Sequence, residues 1–174
     1  ASQSLFNEIE KAGGNPIMYK TGHSFIKSKM QEIDAKLAGE MSGHIFFADD
    51  YYGYDDALYA AIRIIDILIK DGRKLSEIRK SLPQTYSTPE IRIESDDSKK
   101  FDIVKKLQFD LKAKNIDFND IDGVRVNSDN GWWLIRASNT QPILVARCED
   151  NSKKNLDKLV ENLKSILSEY NLTF

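Results

Sequence analysis

Ser81-Leu82-Pro83-Gln84-Thr85-Tyr86-Ser87-Thr88-Pro89 is the stretch on which the reading of this chain turns. Its two prolines disfavour helix, and the polar residues between them suit an extended crossing. Glycine usage changes across it. Gly13, Gly14, Gly22, Gly39, Gly43, Gly53 and Gly72 precede it, and only Gly123 and Gly131 follow. A length of 174 residues suits one large domain or two small ones, so this boundary decides for two. The expected division is an α/β domain over 1–82 and a smaller α+β domain over 83–174.

Upstream of the linker, helices and strands alternate. Leu5, Ile9 and Ala12 keep helical spacing up to Gly13-Gly14, a pair suited to stopping a helix. Pro16 to Lys20 reads as a short strand. Ser24 is a candidate cap for a helix through Ile33 with Phe25, Ile26, Met30 and Ile33 inward. Ile45-Phe46-Phe47 is a second short strand. Leu58, Ala61, Ile62, Ile65 and Ile69 then mark one face of a strong helix, begun by Asp55-Asp56. A layered sheet usually needs more strands than these. The expected fold is three-layered around a mixed sheet, and either the domain is truncated at its N-terminus, as a piece of a longer protein, or its sheet is completed elsewhere.

Downstream, Glu90 to Glu94 alternates as a strand. Asp96-Asp97-Ser98 precedes a helix carrying Phe101, Val104, Leu107 (or Gln108) and Leu111. Val124–Asn127, Trp132–Ala137 and Ile143–Cys148 read as a meander, with Asp129-Asn130-Gly131 as a hairpin turn. Leu156, Leu159, Val160, Leu163, Ile166, Leu167 and Tyr170 line one face of a final helix. Two helices covering one face of an antiparallel sheet follow.

Composition excludes several classes. Twenty-five Lys plus Arg against 27 Asp plus Glu leave a net charge of −2, so the chain lacks a basic nucleic-acid footprint. No apolar stretch approaches the roughly 20 residues that span a bilayer. Ala1-Ser2-Gln3-Ser4 has neither the basic start nor the apolar run of a signal peptide. A single cysteine, Cys148, excludes a disulfide framework and a Cys-rich zinc site. The expectation is a cytoplasmic globular protein with no membrane or nucleic-acid partner.

Two clusters can carry chemistry. In Gly39-Glu40-Met41-Ser42-Gly43-His44, a carboxylate lies two positions from a hydroxyl between glycines that allow close approach. That suits the vicinal hydroxyls of a sugar, and it equally suits an ordinary turn. In Arg136-Ala137-Ser138-Asn139-Thr140-Gln141-Pro142, a planar cation precedes three neutral donors and turning backbone N–H groups. That suits a phosphate, and it is also plain turn composition. His23 and His44 each follow a glycine in a loop, and an unperturbed imidazole titrates near pH ~6.5. Asp49, Asp50, Asp55 and Asp56 match no calcium loop and are read as helix capping. Of Trp132 and Trp133, one is expected in the core and one partly exposed. Tyr51-Tyr52-Gly53-Tyr54 is read as packing, Cys148 as a buried small hydrophobe, and Lys99-Lys100 as a solvated helix face.

Tyr19-Lys20-Thr21-Gly22-His23-Ser24, the Glu-Met-Ser-Gly-His loop at 40–44, Tyr-Gly-Tyr-Asp-Asp at 52–56 and Arg-Ala-Ser-Asn-Thr-Gln-Pro at 136–142 occur in this order. Together they closely resemble the C-terminal half, domains 3 and 4, of the bacterial phosphomannomutase/phosphoglucomutase family of α-D-phosphohexomutases. The resemblance implies an α/β third domain and a TATA-binding-protein-like fourth. It implies an isomerase that interconverts mannose (or glucose) 6-phosphate and 1-phosphate through a 1,6-bisphosphate, with magnesium and an enzyme phosphoserine. Sugar contacts then fall to Thr21, Gly22, His23, Glu40, Met41, Ser42, Gly43 and His44, with His23 and His44 assisting proton transfer. The non-reacting phosphate falls to Arg136, Ala137, Ser138, Asn139 and Thr140.

The family's Thr-Ala-Ser-His-Asn-Pro-like phosphoserine stretch and Asp-Gly-Asp-Gly-Asp-Arg-like magnesium loop occur nowhere in the chain. A family active-site lysine also lies outside it. Without a phosphoryl donor or magnesium, these residues are expected to bind substrate and to be inactive alone. No metal or cofactor is then held by this chain, and its partners are a phosphohexose and the N-terminal domains of the same enzyme. The other reading is a free-standing phosphosugar-binding or interaction module.

Overall fold

Phe46, flanked by Ile45 and Phe47, pairs with a strand on each side and anchors the first half of the chain. A computed structural model describes residues 1–174. The chain divides into two units, Leu5–Pro83 with Ala1, and Gln84–Phe174 with Ser2–Ser4. Helix α1 (Gln3–Lys11) ends at Gly13-Gly14, where the Gly14 N–H returns to the Ile9 carbonyl at 2.9 Å.

In the first unit, β1 (Leu37–Gly39), β2 (Ile45–Phe47) and β3 (Tyr54–Asp55) form a three-stranded sheet in sequence order. Ala38 faces Phe46, which in turn faces Asp55. Helix α2 (His23–Ile33) packs Ile26 and Met30 against the fully buried Phe46, beside Ala35, Ala38 and Ala48. Gly22, not Ser24, takes its N-cap position. Phe25 and Ile33, expected inward, are exposed. Helix α3 (Ala57–Asp71) is capped by Asp56, which accepts the Tyr59 N–H at 2.9 Å. Arg63 on α3 grips both Asp49 oxygens, at 3.0 and 2.8 Å, and holds that carboxyl below the usual range. Helix α4 (Leu75–Ser81) closes the unit.

Two expectations fail here. Pro16–Lys20 pairs with no strand, and both pairings in the sheet are antiparallel, so its expected mixed character is not seen. The stripe of α3 is helical yet uncovered: Leu58 is 80% and Ile69 75% exposed. Helix α3 meets β2 through its other side, where Tyr59 sits edge-on to Phe47 and the Arg63 guanidinium lies over the same ring.

In the second unit, β4 (Tyr86–Ser87) and β5 (Ile91–Glu94) lie end to end along one edge of β8 (Ile143–Asp150). On its other side β8 pairs with β7 (Gly131–Ala137), which pairs with β6 (Val124–Asn127). Every pairing is antiparallel. Strand β4 falls inside the stretch read as a linker, and Pro89 sits between the two edge segments, where a missing N–H is tolerated. Helices α5 (Lys100–Ala113) and α6 (Lys153–Ser168) carry Val104, Leu107, Leu111, Leu156, Leu163 and Leu167 onto a core with Ile93, Trp133, Ile135, Leu144 and Ala146. Phe101, expected in this core, is half exposed. The sheet with two helices agrees with the α+β expectation.

Both tryptophans are buried, against the expectation of one exposed. Trp133 joins the core. Trp132, on the opposite face, lies under the Arg125 guanidinium at 4.2 Å and donates its indole N–H to Glu149 at 3.1 Å. Burial pushes Arg125 down to about 10, while Glu149 works the other way. Cys148 lies fully inside the core, and burial pushes its thiol up to about 11. The thiolate is the reactive species, so native Cys148 should resist a thiol reagent at pH 8 and react only once urea unfolds the second unit. Rapid labelling of the native chain would contradict this packing.

Candidate functional site

Thr21-Gly22-His23 opens α2, with Gly22 at φ 132° and the His23 imidazole exposed at the first helical position. The 40–44 stretch is the turn between β1 and β2. Glu40 N–H donates to the His44 carbonyl at 2.9 Å and Gly43 N–H to the Glu40 carbonyl at 3.0 Å. Gly43 sits at φ 96°, a conformation that favours glycine and lets the turn close. Closure brings Glu40, Ser42 and His44 to one hairpin tip.

The carboxylate of Glu40 is unevenly used. Its Oε2 accepts the Ser42 hydroxyl at a long 3.3 Å, while its Oε1 is buried without a donor. A buried acceptor left unpaired costs about 1–3 kcal/mol, so this oxygen is suited to an incoming hydroxyl. Met41 and Ser42 are exposed beside it.

His44 has a partner that the sequence did not suggest. Its Nδ1 lies 2.6 Å from Asp55 Oδ2, because β3 pairs with β2 and returns Asp55 to the turn. A carboxylate only accepts, so Nδ1 carries the hydrogen in this contact and the ring is held with Nε2 turned away from Asp55. Asp55 and Asp56, read together as a helix start, do different work: Asp56 caps α3 and Asp55 orients His44. The only available signal was the alternation around Tyr54-Asp55.

These aspartates do not make a metal site. No three His, Cys, Asp or Glu side chains converge to hold an ion, and Asp49, Asp55 and Asp56 serve Arg63, His44 and the α3 cap.

In the second unit, 138–142 is the turn between β7 and β8. Ser138 N–H donates to the Ile143 carbonyl at 3.0 Å. Its buried hydroxyl oxygen accepts the N–H groups of Thr140 and Gln141 at 3.3 and 3.2 Å. These long bonds are easily exchanged for a stronger acceptor. Asn139 and Thr140 project from the tip, exposed. Arg136 pairs with Val145 in register and lies on the face opposite Ile135 and Ala137. Its half-buried guanidinium has no hydrogen bond or ion pair.

Arg136 is not isolated. Arg92 also pairs with Val145 from the other side, and Arg147 stands two residues along β8, all on one face. Arg147 Nε is buried without an acceptor. Alternation in β5 and β8 carried this signal, which was missed.

Gly123 was missed too. At φ 88° its backbone passes so close that a Cβ there would lie 2.7 Å from the Arg136 Cα. Gly123→Ala should therefore lower stability by about 1–3 kcal/mol and move the amide signals of 135–137. A urea titration with an amide spectrum checks this; an equally stable variant with unmoved Arg136 contradicts it.

Comparison with known proteins follows from this geometry. Residues 1–86 match the family model described as phosphoglucomutase/phosphomannomutase, alpha/beta/alpha domain III, and residues 90–165 match that of the phosphoglucomutase/phosphomannomutase C-terminal domain. A phosphomannomutase/phosphoglucomutase of Pseudomonas aeruginosa is 46% identical over 158 residues, covering 91% of this chain and 34% of that protein. A phosphoglucomutase of Neisseria gonorrhoeae is 40% identical over 161 residues, covering 91% and 35%. A crystal structure of a phosphoglucomutase/phosphomannomutase family protein from Burkholderia thailandensis superposes with a TM-score of 0.86 at 36% identity, covering 99% of this chain and 37% of that one. The chain thus spans about a third of the length of the curated relatives it matches.

Proposed function

The chain belongs to the phosphoglucomutase/phosphomannomutase family, with its third and C-terminal domains, and on that premise we propose that these residues recognise the phosphohexose substrate of a mutase. The parent reaction interconverts mannose (or glucose) 6-phosphate and 1-phosphate by way of a 1,6-bisphosphate. The observation that carries the reading is Glu40 Oε1, a buried acceptor without a donor on the motif-bearing hairpin.

Each residue has a task. Glu40 accepts hydrogen bonds from sugar hydroxyls and Ser42 exchanges one, while Thr21, Gly22, Met41 and Gly43 shape the contact surface. His44, oriented by Asp55, offers Nε2 to the proton of a reacting hydroxyl, and His23 lends a second imidazole. Arg136 binds two oxygens of the non-reacting phosphate, Ser138, Asn139 and Thr140 donate to it, and Ala137 lies between them. An intermediate that reorients between two transfers presents either end to the same residues, which favours one phosphate clamp and symmetric hydroxyl contacts.

Chemistry comes from residues outside these 174. In the family a phosphoserine supplies the phosphoryl group and magnesium neutralises its charge; neither motif occurs in this chain. No helix is long and apolar enough to cross a membrane.

Two measurements test this reading. The purified 174-residue chain should show no magnesium-dependent turnover of mannose 1-phosphate; detectable turnover overturns the division of labour. Arg136→Ala should weaken mannose 1-phosphate about ten- to a hundredfold, the range of a lost charged hydrogen bond, while leaving mannose nearly unchanged. Equal losses for both ligands would remove the phosphate role.

A further inference from the structure

Lys100 contradicts the reading of Lys99-Lys100 as a solvated helix face. Its side chain is 3% exposed, at the first position of α5. A buried ammonium is costly unless it is fully paired. It meets the Asp97 carboxylate at 2.6 Å and the Gln141 main-chain carbonyl at 2.9 Å, with the Phe101 ring beside it. Asp97 is itself 73% exposed, so a pair with it alone would leave the ammonium at the surface. The Gln141 carbonyl is the partner that requires it inside.

Gln141 ends the 138–142 turn. Its carbonyl also accepts the Ile143 N–H at 2.8 Å, and its side-chain oxygen accepts from Arg92 at 3.2 Å. Ser95 N–H takes the Pro142 carbonyl at 3.1 Å. The returning leg of the turn is thus fastened to β5 and α5, whereas Asn139 and Thr140 are exposed and Thr140 is tied to Ser138 by one long bond. One leg is fastened and the tip is exposed.

We propose that Lys100 is a positioning residue for the phosphate-binding turn. By holding the Gln141 carbonyl inward, it fixes the leg that presents the Thr140 and Gln141 N–H groups, where an anion can exchange for their long bonds to the Ser138 hydroxyl. The inference rests on the reading of 136–140 as the phosphate site, and Lys100 itself does not touch the ligand. Arg92 holds the side-chain oxygen of the same residue, Gln141, from β5.

The test compares the 174-residue chain with Lys100→Met, Lys100→Arg and Arg136→Ala. Amide relaxation is measured without ligand, and mannose 1-phosphate is then titrated. Lys100→Met should keep the core amides of Val104 and Leu107 in place while those of 139–141 become mobile. Its affinity for mannose 1-phosphate should fall about tenfold, the effect of one lost charge-assisted hydrogen bond. Lys100→Arg, which keeps the charge and the donors, should restore both. A turn as ordered in Lys100→Met as in the parent overturns the proposal, as does unchanged affinity where Arg136→Ala binds weakly. Disorder spreading through α5 and β5 overturns it as well, because it marks a structural role only. If Arg136→Ala binds as the parent does, or the parent does not bind, the phosphate reading has failed, and the ligand-free relaxation still decides for or against Lys100.

Discussion

The second unit depends on the antiparallel ladder between β7 and β8, seven residue pairs from Gly131 with Asp150 to Ala137 with Leu144. Alternation along this ladder sends Trp133, Ile135, Ala137, Leu144, Ala146 and Cys148 to the helices. The same alternation sends Arg136, Val145 and Arg147 to the other face. A slip of one residue would exchange the core for the arginines, so burial fixes the register and the register fixes the loop proposed to bind phosphate. Site and core are two consequences of one pairing.

The first unit reaches its hairpin by the same logic with less material. Gly43 closes the turn, Phe46 anchors β2 in a core with Ile26 and Met30, and β3 brings Asp55 to His44. Polar groups are satisfied unevenly in both units. Arg63, Asp49, Asp56 and Lys100 are paired within the fold. Glu40 Oε1 and Arg147 Nε are buried without partners, and Arg136 is unpaired. Ser95 Oγ is unmatched as well, so an unpaired group by itself does not mark a site; Glu40 and Arg147 stand out because they lie beside the two motif loops.

Local pattern made much of this legible. The helical face of α6, the meander and the motif order were readable from Leu156 to Tyr170, from the strand alternation and from Arg136 to Pro142. Strand β4 was not, because Pro89 looks like a terminator until an edge position makes its missing N–H harmless. The burial of Lys100 and the Asp55–His44 contact were hidden for a different reason. Both depend on which strand pairs with which, and a lysine doublet or an aspartate doublet carries no record of that. The uncovered stripe of α3 shows the reverse case: the periodicity of Leu58, Ile62, Ile65 and Ile69 gave the helix correctly, but periodicity cannot say whether a cover is present.

The central claim is that the 39–44 loop recognises sugar hydroxyls and the 136–140 loop a phosphate. An amide-resolved titration of this chain with mannose 1-phosphate, with inorganic phosphate as the control, tests it most directly. The account predicts saturable shifts at both 39–44 and 136–140 for the phosphosugar, and at 136–140 alone for phosphate. Shifts at neither stretch, in a chain whose Trp133 and Leu163 amides show a folded core, would contradict it.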